Sequence, residues 1–159
     1  YIEEDKYLSE YGSTEKSAHH KYERIAMQGM TGANDKIRLV MSIVPQGYYL
    51  ANSCNYILPL RSIDLYCLLG FLNSKTINWF FRCFSTNSNV NGYEVDNFPI
   101  PRLDSDVQLR ISELVKEVIE TKRVNHLTDT SAIEKQIDEF VYQAYELSKE
   151  DIKIIEQSI

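Results

Sequence analysis

Amide and cationic side chains flank two turn-forming segments in the middle of the chain, residues 29–35 and 85–92. Arg and Lys donate to guanine edges or to phosphates, and Asn and Gln pair bidentately with adenine. These residue types beside polar turns indicate a surface that contacts DNA. The candidate contacts are Lys21, Arg24, Gln28, Thr31, Asn34, Lys36, Arg38, Lys75, Arg82, Asn87, Asn89 and Asn91.

These candidates have competing interpretations. Asparagine tolerates a left-handed backbone and hydrogen-bonds within turns, so turn formation also explains the asparagines of both segments. For Lys36 and Arg38, a phosphate contact is favoured over a base contact, and a solvated surface position is the alternative to both.

The distribution of charge favours the same part of the chain. The net charge of −6 argues against nucleic acid only as an average over 159 residues. Residues 16–90 carry eight basic and three acidic side chains, whereas the flanking residues 1–15 and 91–159 are acidic. Because phosphate contacts depend on local positive charge, the middle of the chain is the predicted DNA-binding part. Chance unevenness is the alternative.

The sequence offers no pattern for catalysis, cofactor binding or metal binding. The three cysteines have no Cys-x-x-Cys spacing, and His19-His20 lacks further ligands nearby. There is no Gly-rich phosphate loop. Residues 97–101 read Asn-Phe-Pro-Ile-Pro, which departs from the Asn-Pro-Pro-aromatic motif that holds a flipped adenine, and a strand ended by prolines is the better interpretation. We therefore expect no catalytic residue, no cofactor and no metal in this chain.

β-branched residues and turn signals predict a sheet in the first half of the chain. Residues 45–47, Pro-Gln-Gly, predict a hairpin turn between two successive strands. The predicted strands are residues 22–28 (the weakest candidate), 37–44, 48–51, 54–58 and 93–98.

Helical spacing dominates the remainder. Residues 63–84 predict two helices that break at Asn73-Ser74, and longer amphipathic helices begin near Ser105 and Ser131. Ser148-Lys-Glu-Asp resembles a capping box that opens a last short helix. The predicted fold class is α+β: a small, twisted, mostly antiparallel sheet with packed helices and a helical C-terminal arm.

The order of these features resembles a known family. Residues 68–75, Leu-Leu-Gly-Phe-Leu-Asn-Ser-Lys, are followed by an aromatic helix, a polar loop, Phe-Pro-Ile-Pro at 98–101 and a long helix. The tail carries Val-Tyr-x-x-Tyr-x-Leu at 141–147 before an acidic helix start. Over residues 21–159 the chain resembles the C-terminal specificity domain of TaqI-like adenine-specific DNA methyltransferases and fused type II restriction–modification enzymes. Glu146 is a departure, because the family tail often has Gly there.

The resemblance implies a division of labour. In such proteins an upstream domain binds S-adenosylmethionine and transfers the methyl group, some members carry a nuclease domain, and the C-terminal domain reads double-stranded DNA. We therefore expect residues 1–20 to be a linker from an upstream methyltransferase domain, residues 21–104 the DNA target recognition domain, and residues 105–159 a helical arm. No catalytic residue of the family falls within this chain.

Two other functions remain open. Half of a type I restriction specificity subunit would share the proline-then-helix arrangement, but it would be expected to repeat it with long coiled helices, and this chain has one copy. A protein-interaction module would use the eleven tyrosines as a docking surface.

The sequence also suggests a location. It has no apolar run approaching the ~18 residues of a membrane span and no signal-peptide pattern, and it begins at Tyr1 rather than Met. We expect a cytoplasmic part of a longer protein, with no membrane partner.

Overall fold

The computed structural model describes residues 3–159, in which three strands form one antiparallel sheet. The central strand, β1 (Arg24–Gln28), pairs with β2 (Met41–Val44) on one side and with β3 (Cys54–Ile57) on the other. The segment with the weakest strand signal is therefore the centre of the sheet. Its alternating Ile25 and Met27 are 0% and 3% exposed, so burial on one face fixes its register.

The predicted hairpin through residues 45–47 is wrong. β2 and β3 lie on opposite sides of β1, and residues 48–51 form no strand. Gly47 adopts φ +88° and donates its N–H to the carbonyl oxygen of His20 at 2.7 Å. The turn therefore directs the chain toward the N-terminal segment, a backbone conformation that glycine adopts without strain.

Two asparagine side chains hold the first residue of β2 and the extended segment that precedes it. Asn78 Oδ1 accepts from the backbone N–H of Arg38 at 2.8 Å, and its Nδ2 donates to the carbonyl of Lys36 at 2.7 Å. Asn73 accepts from the N–H of Met41 and donates to its carbonyl, at 3.1 and 3.0 Å. These amides occupy backbone groups that a neighbouring strand would bind, and the strand predicted at 37–44 is shortened to β2.

The two helices predicted in residues 63–84 are confirmed. Helix α2 (Leu65–Leu72) begins after Asp64, whose side chain accepts from the N–H groups of Tyr66 and Cys67. Helix α3 (Lys75–Phe84) begins after Ser74, whose hydroxyl accepts from the N–H of Ile77. Side-chain oxygens satisfy N–H groups that the first helical turn leaves free, so they fix where both helices begin.

The strand predicted at residues 93–98 is wrong. Residues Gly92–Val95 form a short helix, α4. A capping box starts it: the N–H and Nδ2 of Asn91 each donate to Glu94 Oε2 at 2.9 Å. This local bonding outweighs the weak strand propensity of the segment.

The helical C-terminal arm is confirmed and comprises α5 (Ser105–Val124), α6 (Ser131–Ala144) and α7 (Lys149–Gln157). The predicted capping box of α7 is present, with the hydroxyl of Ser148 accepting from the N–H of Asp151 at 3.2 Å. Glu146 adopts φ +52°, a conformation that favours glycine. This is the tail position at which the sequence departs from the family that it resembles. No helix within residues 3–159 is long and apolar enough to cross a membrane.

A close approach at Gly70 joins the arm to the remainder of the fold. A Cβ at this residue of α2 would lie 2.9 Å from Ile111 Cγ2 of α5 and 3.4 Å from Ile137 Cγ2 of α6. One hydrophobic cluster extends from Ile25 in the sheet to Val141 in α6. The fold is thus α+β, with a three-stranded antiparallel sheet, packed helices and a helical C-terminal arm, as predicted.

In the segment predicted as a linker, the described residues 3–20 are largely helical. Helix α1 (Glu4–Tyr11) precedes a 3₁₀ helix (Glu15–Lys21). Aromatic contacts bind both to the residues that follow β2: the ring of Tyr49 lies 5.0 Å from that of Tyr7 and stacks on His20 at 4.6 Å.

Candidate nucleic-acid interface

The two ends of the antiparallel sheet carry different surfaces. At one end, residues 28–36, which begin at the last residue of β1, lie beside residues 85–91, and we call these two segments the loop end. At the other end lie residues 19–24 and 45–49, which we call the tyrosine end because of the side chains they carry: His19, His20, Tyr22, Tyr48 and Tyr49.

Main-chain hydrogen bonds join the two segments of the loop end. The N–H of Thr31 donates to the carbonyl of Ser88 at 2.8 Å, and the N–H of Val90 donates to that of Gly29 at 3.0 Å. Asn55 Nδ2, from β3, donates to the carbonyl of Val90 at 3.0 Å. The two turns that sequence analysis selected separately therefore form one surface.

Arg38, a predicted phosphate contact, is a buried structural residue, and that prediction is corrected. Its side chain is 0% exposed. Its Nη1 donates to the carbonyl of Ser85 at 2.8 Å, its Nη2 donates to that of Asn87, and its guanidinium lies 4.7 Å from the centre of the Phe81 ring. The planar guanidinium binds two carbonyls at once and lies over an aromatic face, which offsets part of the cost of burying it, while its Nε has no hydrogen-bond partner within residues 3–159.

Arg24 is corrected in the same way. It is 2% exposed at the tyrosine end. Its guanidinium donates to the carbonyls of His19, Tyr22 and Tyr48 at 3.2, 3.1 and 2.6 Å. A side chain held by three carbonyls beneath the surface does not reach a phosphate group.

The helical arm engages two further basic candidates. Lys75 Nζ lies 3.6 Å from Asp138 and 3.9 Å from Glu156. Arg82 Nη1 donates to the carbonyl of Ser158 at 2.6 Å. Their charges stabilise contacts within the fold instead of standing free at the surface.

Two polar candidates also have local roles. Thr31 is 8% exposed, so its side chain lies beneath the surface of the loop end. Asn91 is half-buried and caps α4 through Glu94. Their residue types were compatible with base contacts, but Thr31 is buried and the side-chain amide of Asn91 is bound to Glu94.

The remaining candidates are exposed. Lys21 lies at the tyrosine end, and five lie at the loop end: Gln28, Asn34, Lys36, Asn87 and Asn89. Asn87 Oδ1 accepts from the N–H of Asn89 at 2.8 Å, so this side chain forms a turn, as the competing interpretation anticipated. The side-chain amides of Gln28, Asn34 and Asn89 have no hydrogen-bond partner within residues 3–159, which leaves their donors and acceptors for a ligand.

The loop end is polar but weakly charged. Lys36 is exposed, and the neighbouring Asp35 accepts from the N–H of Gly32 at 2.9 Å. Because two of the basic side chains in residues 16–90 are buried and two engage the arm, the positive surface is smaller than the sequence indicated.

Two buried groups in the helical part of the described chain have a shifted pKa, Cys67 and Asp138. Burial, with a contribution from the charge of Asp64, raises the pKa of Cys67 to about 12, so this thiol stays protonated. Burial also raises the pKa of Asp138, against hydrogen bonding to the backbone N–H of Lys75 and the charge of its ammonium group. Within residues 3–159, no three His, Cys, Asp or Glu side chains are grouped so as to hold a metal ion.

A shallow depression of about 370 Å³, which the sequence did not predict, lies beside the loop end. Tyr93, which is 66% exposed, stands on its rim. The strand prediction for 93–98 concealed this site, whereas the Asn91-x-x-Glu94 spacing was a signal for the helix that forms it. The lining residues are Phe84, Thr86, Asn87, Tyr93, Glu94 and Asn97.

A second concavity lies between the segment preceding β2 and helices α2, α5 and α6. It has a volume of about 800 Å³, and aliphatic side chains such as Leu69, Val118 and Ile119 line much of it. Ile37 and Val40 at its side are 59% and 52% exposed. This apolar groove is chemically distinct from the loop end.

Comparison with protein-family models gives no match, and comparison with curated proteins gives no significant relative. The resemblance to the TaqI-like specificity domain therefore stays a prediction from the sequence.

Proposed function

We propose that this chain is a DNA target recognition domain that reads double-stranded DNA with its loop end. The observation that carries the proposal is the set of exposed, unbonded amides of Gln28, Asn34 and Asn89 on two segments joined by main-chain hydrogen bonds. An amide with a free donor and a free acceptor matches the N6 and N7 groups of adenine in the major groove. Bracing of the segments reduces the entropy that binding would cost.

Lys36 has the second role in this proposal, a phosphate contact next to the reading amides. Phosphate contacts fix the register of a protein on the duplex and carry no sequence information themselves. One exposed lysine at the loop end supplies limited affinity, so the parent protein's other DNA contacts supply the remainder. This accords with a reader that works beside a separate catalytic domain.

The proposal includes the parent protein that the sequence resemblance implies. In this parent protein, an upstream domain of the same polypeptide binds S-adenosylmethionine and methylates adenine. The polypeptide is prokaryotic and cytoplasmic, and some forms also carry a nuclease domain. The purified 159-residue chain then transfers no tritiated methyl group to DNA and cleaves none. Incorporation of the label by this chain would contradict the division of labour.

Selection from random duplexes tests the reading function directly. The complete gene product that contains this chain is incubated with a random double-stranded library at low salt, and bound DNA is sequenced. We expect one enriched motif, and a binding constant that falls steeply with salt, as phosphate contacts require. Binding without an enriched motif, or no binding, would overturn the proposal.

A protein-interaction module is the second candidate, favoured by the apolar groove of about 800 Å³ with exposed Ile37 and Val40 beside it. Burial of apolar surface depends little on moderate salt, whereas phosphate contacts depend on it strongly. This candidate would be favoured if the chain binds a protein partner at high salt and loses that binding in Val40→Asp. The DNA selection would then enrich no motif above background.

A further inference from the structure

We propose that Arg38 is the positioning residue for DNA reading: its buried guanidinium fixes residues 85–91 in the conformation that presents Asn89 next to Met30 of the other loop-end segment. This inference rests on the proposed function and adds a residue that never touches DNA.

The first observation is where Arg38 donates. Its two Nη groups bind the carbonyls of Ser85 and Asn87, at the start of the second loop-end segment. The Asn87 side chain accepts from the N–H of Asn89 at 2.8 Å. One guanidinium therefore acts on the short turn that carries the exposed amide of Asn89.

The second observation is how firmly Arg38 itself is held. Its backbone N–H donates to Asn78 Oδ1 at 2.8 Å, and its guanidinium lies 4.7 Å from the centre of the Phe81 ring. Both residues belong to α3, whose position is fixed by the hydrophobic core. Because Arg38 contacts both α3 and residues 85–87, it fixes the position of the exposed loop relative to the helix.

The third observation is the chemistry of the residue. A fully buried cation without a carboxylate partner is an expensive way to fill core volume. Lysine presents a single ammonium group, whereas the guanidinium fork reaches two carbonyls in fixed directions. Arginine is therefore suited to setting the geometry of this turn.

Arg24 is the matched control, since it is an equally buried arginine that donates to main-chain carbonyls at the tyrosine end. The variants Arg38→Met, Arg38→Lys and Arg24→Met are made in the complete gene product. For each, affinity is measured for the selected duplex and for a scrambled duplex, and amide hydrogen exchange is measured without DNA.

We expect Arg38→Met to lower the ratio of specific to non-specific affinity by about tenfold or more, the discrimination of one good base contact. Its affinity for the scrambled duplex should stay within about twofold of wild type, because the phosphate contacts are retained. The Val90 amide should exchange faster while the Ile25 amide in β1 stays protected. Arg38→Lys should lie between wild type and Arg38→Met, and Arg24→Met should keep the wild-type ratio.

Three results separate the possible failures. If wild type does not prefer the selected duplex, the proposed function fails and this inference fails with it. If wild type prefers it and folded Arg38→Met prefers it equally, only the positioning role of Arg38 is overturned. Equal losses in Arg24→Met would mean a general stability effect and would also overturn it. If Arg38→Met does not fold, Arg38→Lys is judged by the same ratios.

Discussion

At each end of the sheet, a buried arginine holds main-chain carbonyls of neighbouring segments. Arg24 binds three carbonyls at the tyrosine end, and Arg38 binds two at the loop end. Each also lies near an aromatic ring, at 5.4 and 4.7 Å from the ring centre. The scaffolding is alike at both ends, so a difference in function must come from the side chains that the scaffolding exposes.

The exposed side chains do differ. The loop end presents the amides of Gln28, Asn34 and Asn89, whereas the tyrosine end presents the rings of Tyr22 and Tyr48, which are 54% and 62% exposed. Amides match base edges, whereas tyrosine rings suit half-apolar contact surfaces. A buried charge therefore identifies a braced segment but does not by itself identify the binding end.

The largest expected difference between the ends concerns sequence-specific DNA binding. Replacing Gln28 and Asn89 together by Ala should lower the ratio of specific to non-specific affinity about 100-fold, since each good base contact contributes roughly 1–3 kcal/mol. The matched double variant Tyr22→Ala/Tyr48→Ala should keep the wild-type ratio. Fluorescence anisotropy with selected and scrambled duplexes measures both. Equal losses at the two ends would remove the distinction between them.

The next difference concerns stability. Asn78→Ala should lower the free energy of unfolding by about 2–3 kcal/mol, because it leaves the buried N–H of Arg38 and the carbonyl of Lys36 without their partner. In β3, next to the tyrosine end, Tyr56→Phe removes one hydrogen bond, to His19 Nδ1, and should cost about 1 kcal/mol. Urea unfolding measures both values. Equal costs would mean that Asn78 does not have this special scaffolding role.

A smaller difference concerns charge. Each end has one exposed lysine among the predicted contacts, Lys36 at the loop end and Lys21 at the tyrosine end. Lys36→Glu should weaken binding to all duplexes several-fold at low salt and reduce the salt slope by about one, the signature of a phosphate contact. Lys21→Glu should leave both quantities close to wild type. A larger loss in Lys21→Glu would assign phosphate binding to the tyrosine end.

The smallest expected effect is a change of stability with pH that comes from Asp138 in the helical arm, away from both ends of the sheet. Because the pKa of Asp138 is raised in the folded protein, the folded state binds the proton of this carboxyl more tightly than the unfolded chain does, and protonation stabilises the fold. That stabilisation is fully present below the ordinary aspartate pKa of about 4 and is lost as the pH rises through the raised pKa.

The variant Asp138→Asn keeps an oxygen that accepts from the backbone N–H of Lys75 and removes the titration. Thermal unfolding of both proteins should therefore show wild type gaining stability relative to the variant as the pH falls through that window. A relative loss of wild-type stability on acidification would contradict the assigned direction.

Local signals made most of the helices predictable. Asp64, Ser74 and Ser148 cap their helices through side-chain bonds, and residue types and spacing record such bonds in the sequence. The wrong strand prediction at α4 also involves a local signal. The Asn91-x-x-Glu94 spacing indicates a capping box, but the prediction followed the strand propensity of the segment instead.

Strand order and burial of the basic residues could not be predicted in the same way. The hairpin at 45–47 failed because Gly47 bonds to His20, a contact distant in sequence. Arg24 and Arg38 resembled surface cations, and only the tertiary fold supplies the carbonyls that bury them. The two turns of the loop end were found as residue types, whereas their joining through Thr31 and Val90 is a tertiary property.

The most direct test of the central claim is amide hydrogen exchange of the complete gene product with and without the selected duplex. We expect slower exchange on DNA binding in residues 28–36 and 85–91, and unchanged exchange in residues 19–24 and 45–49. Protection confined to the tyrosine end or to helices α5, α6 and α7, with the loop end unchanged, would contradict the claim that the loop end reads DNA.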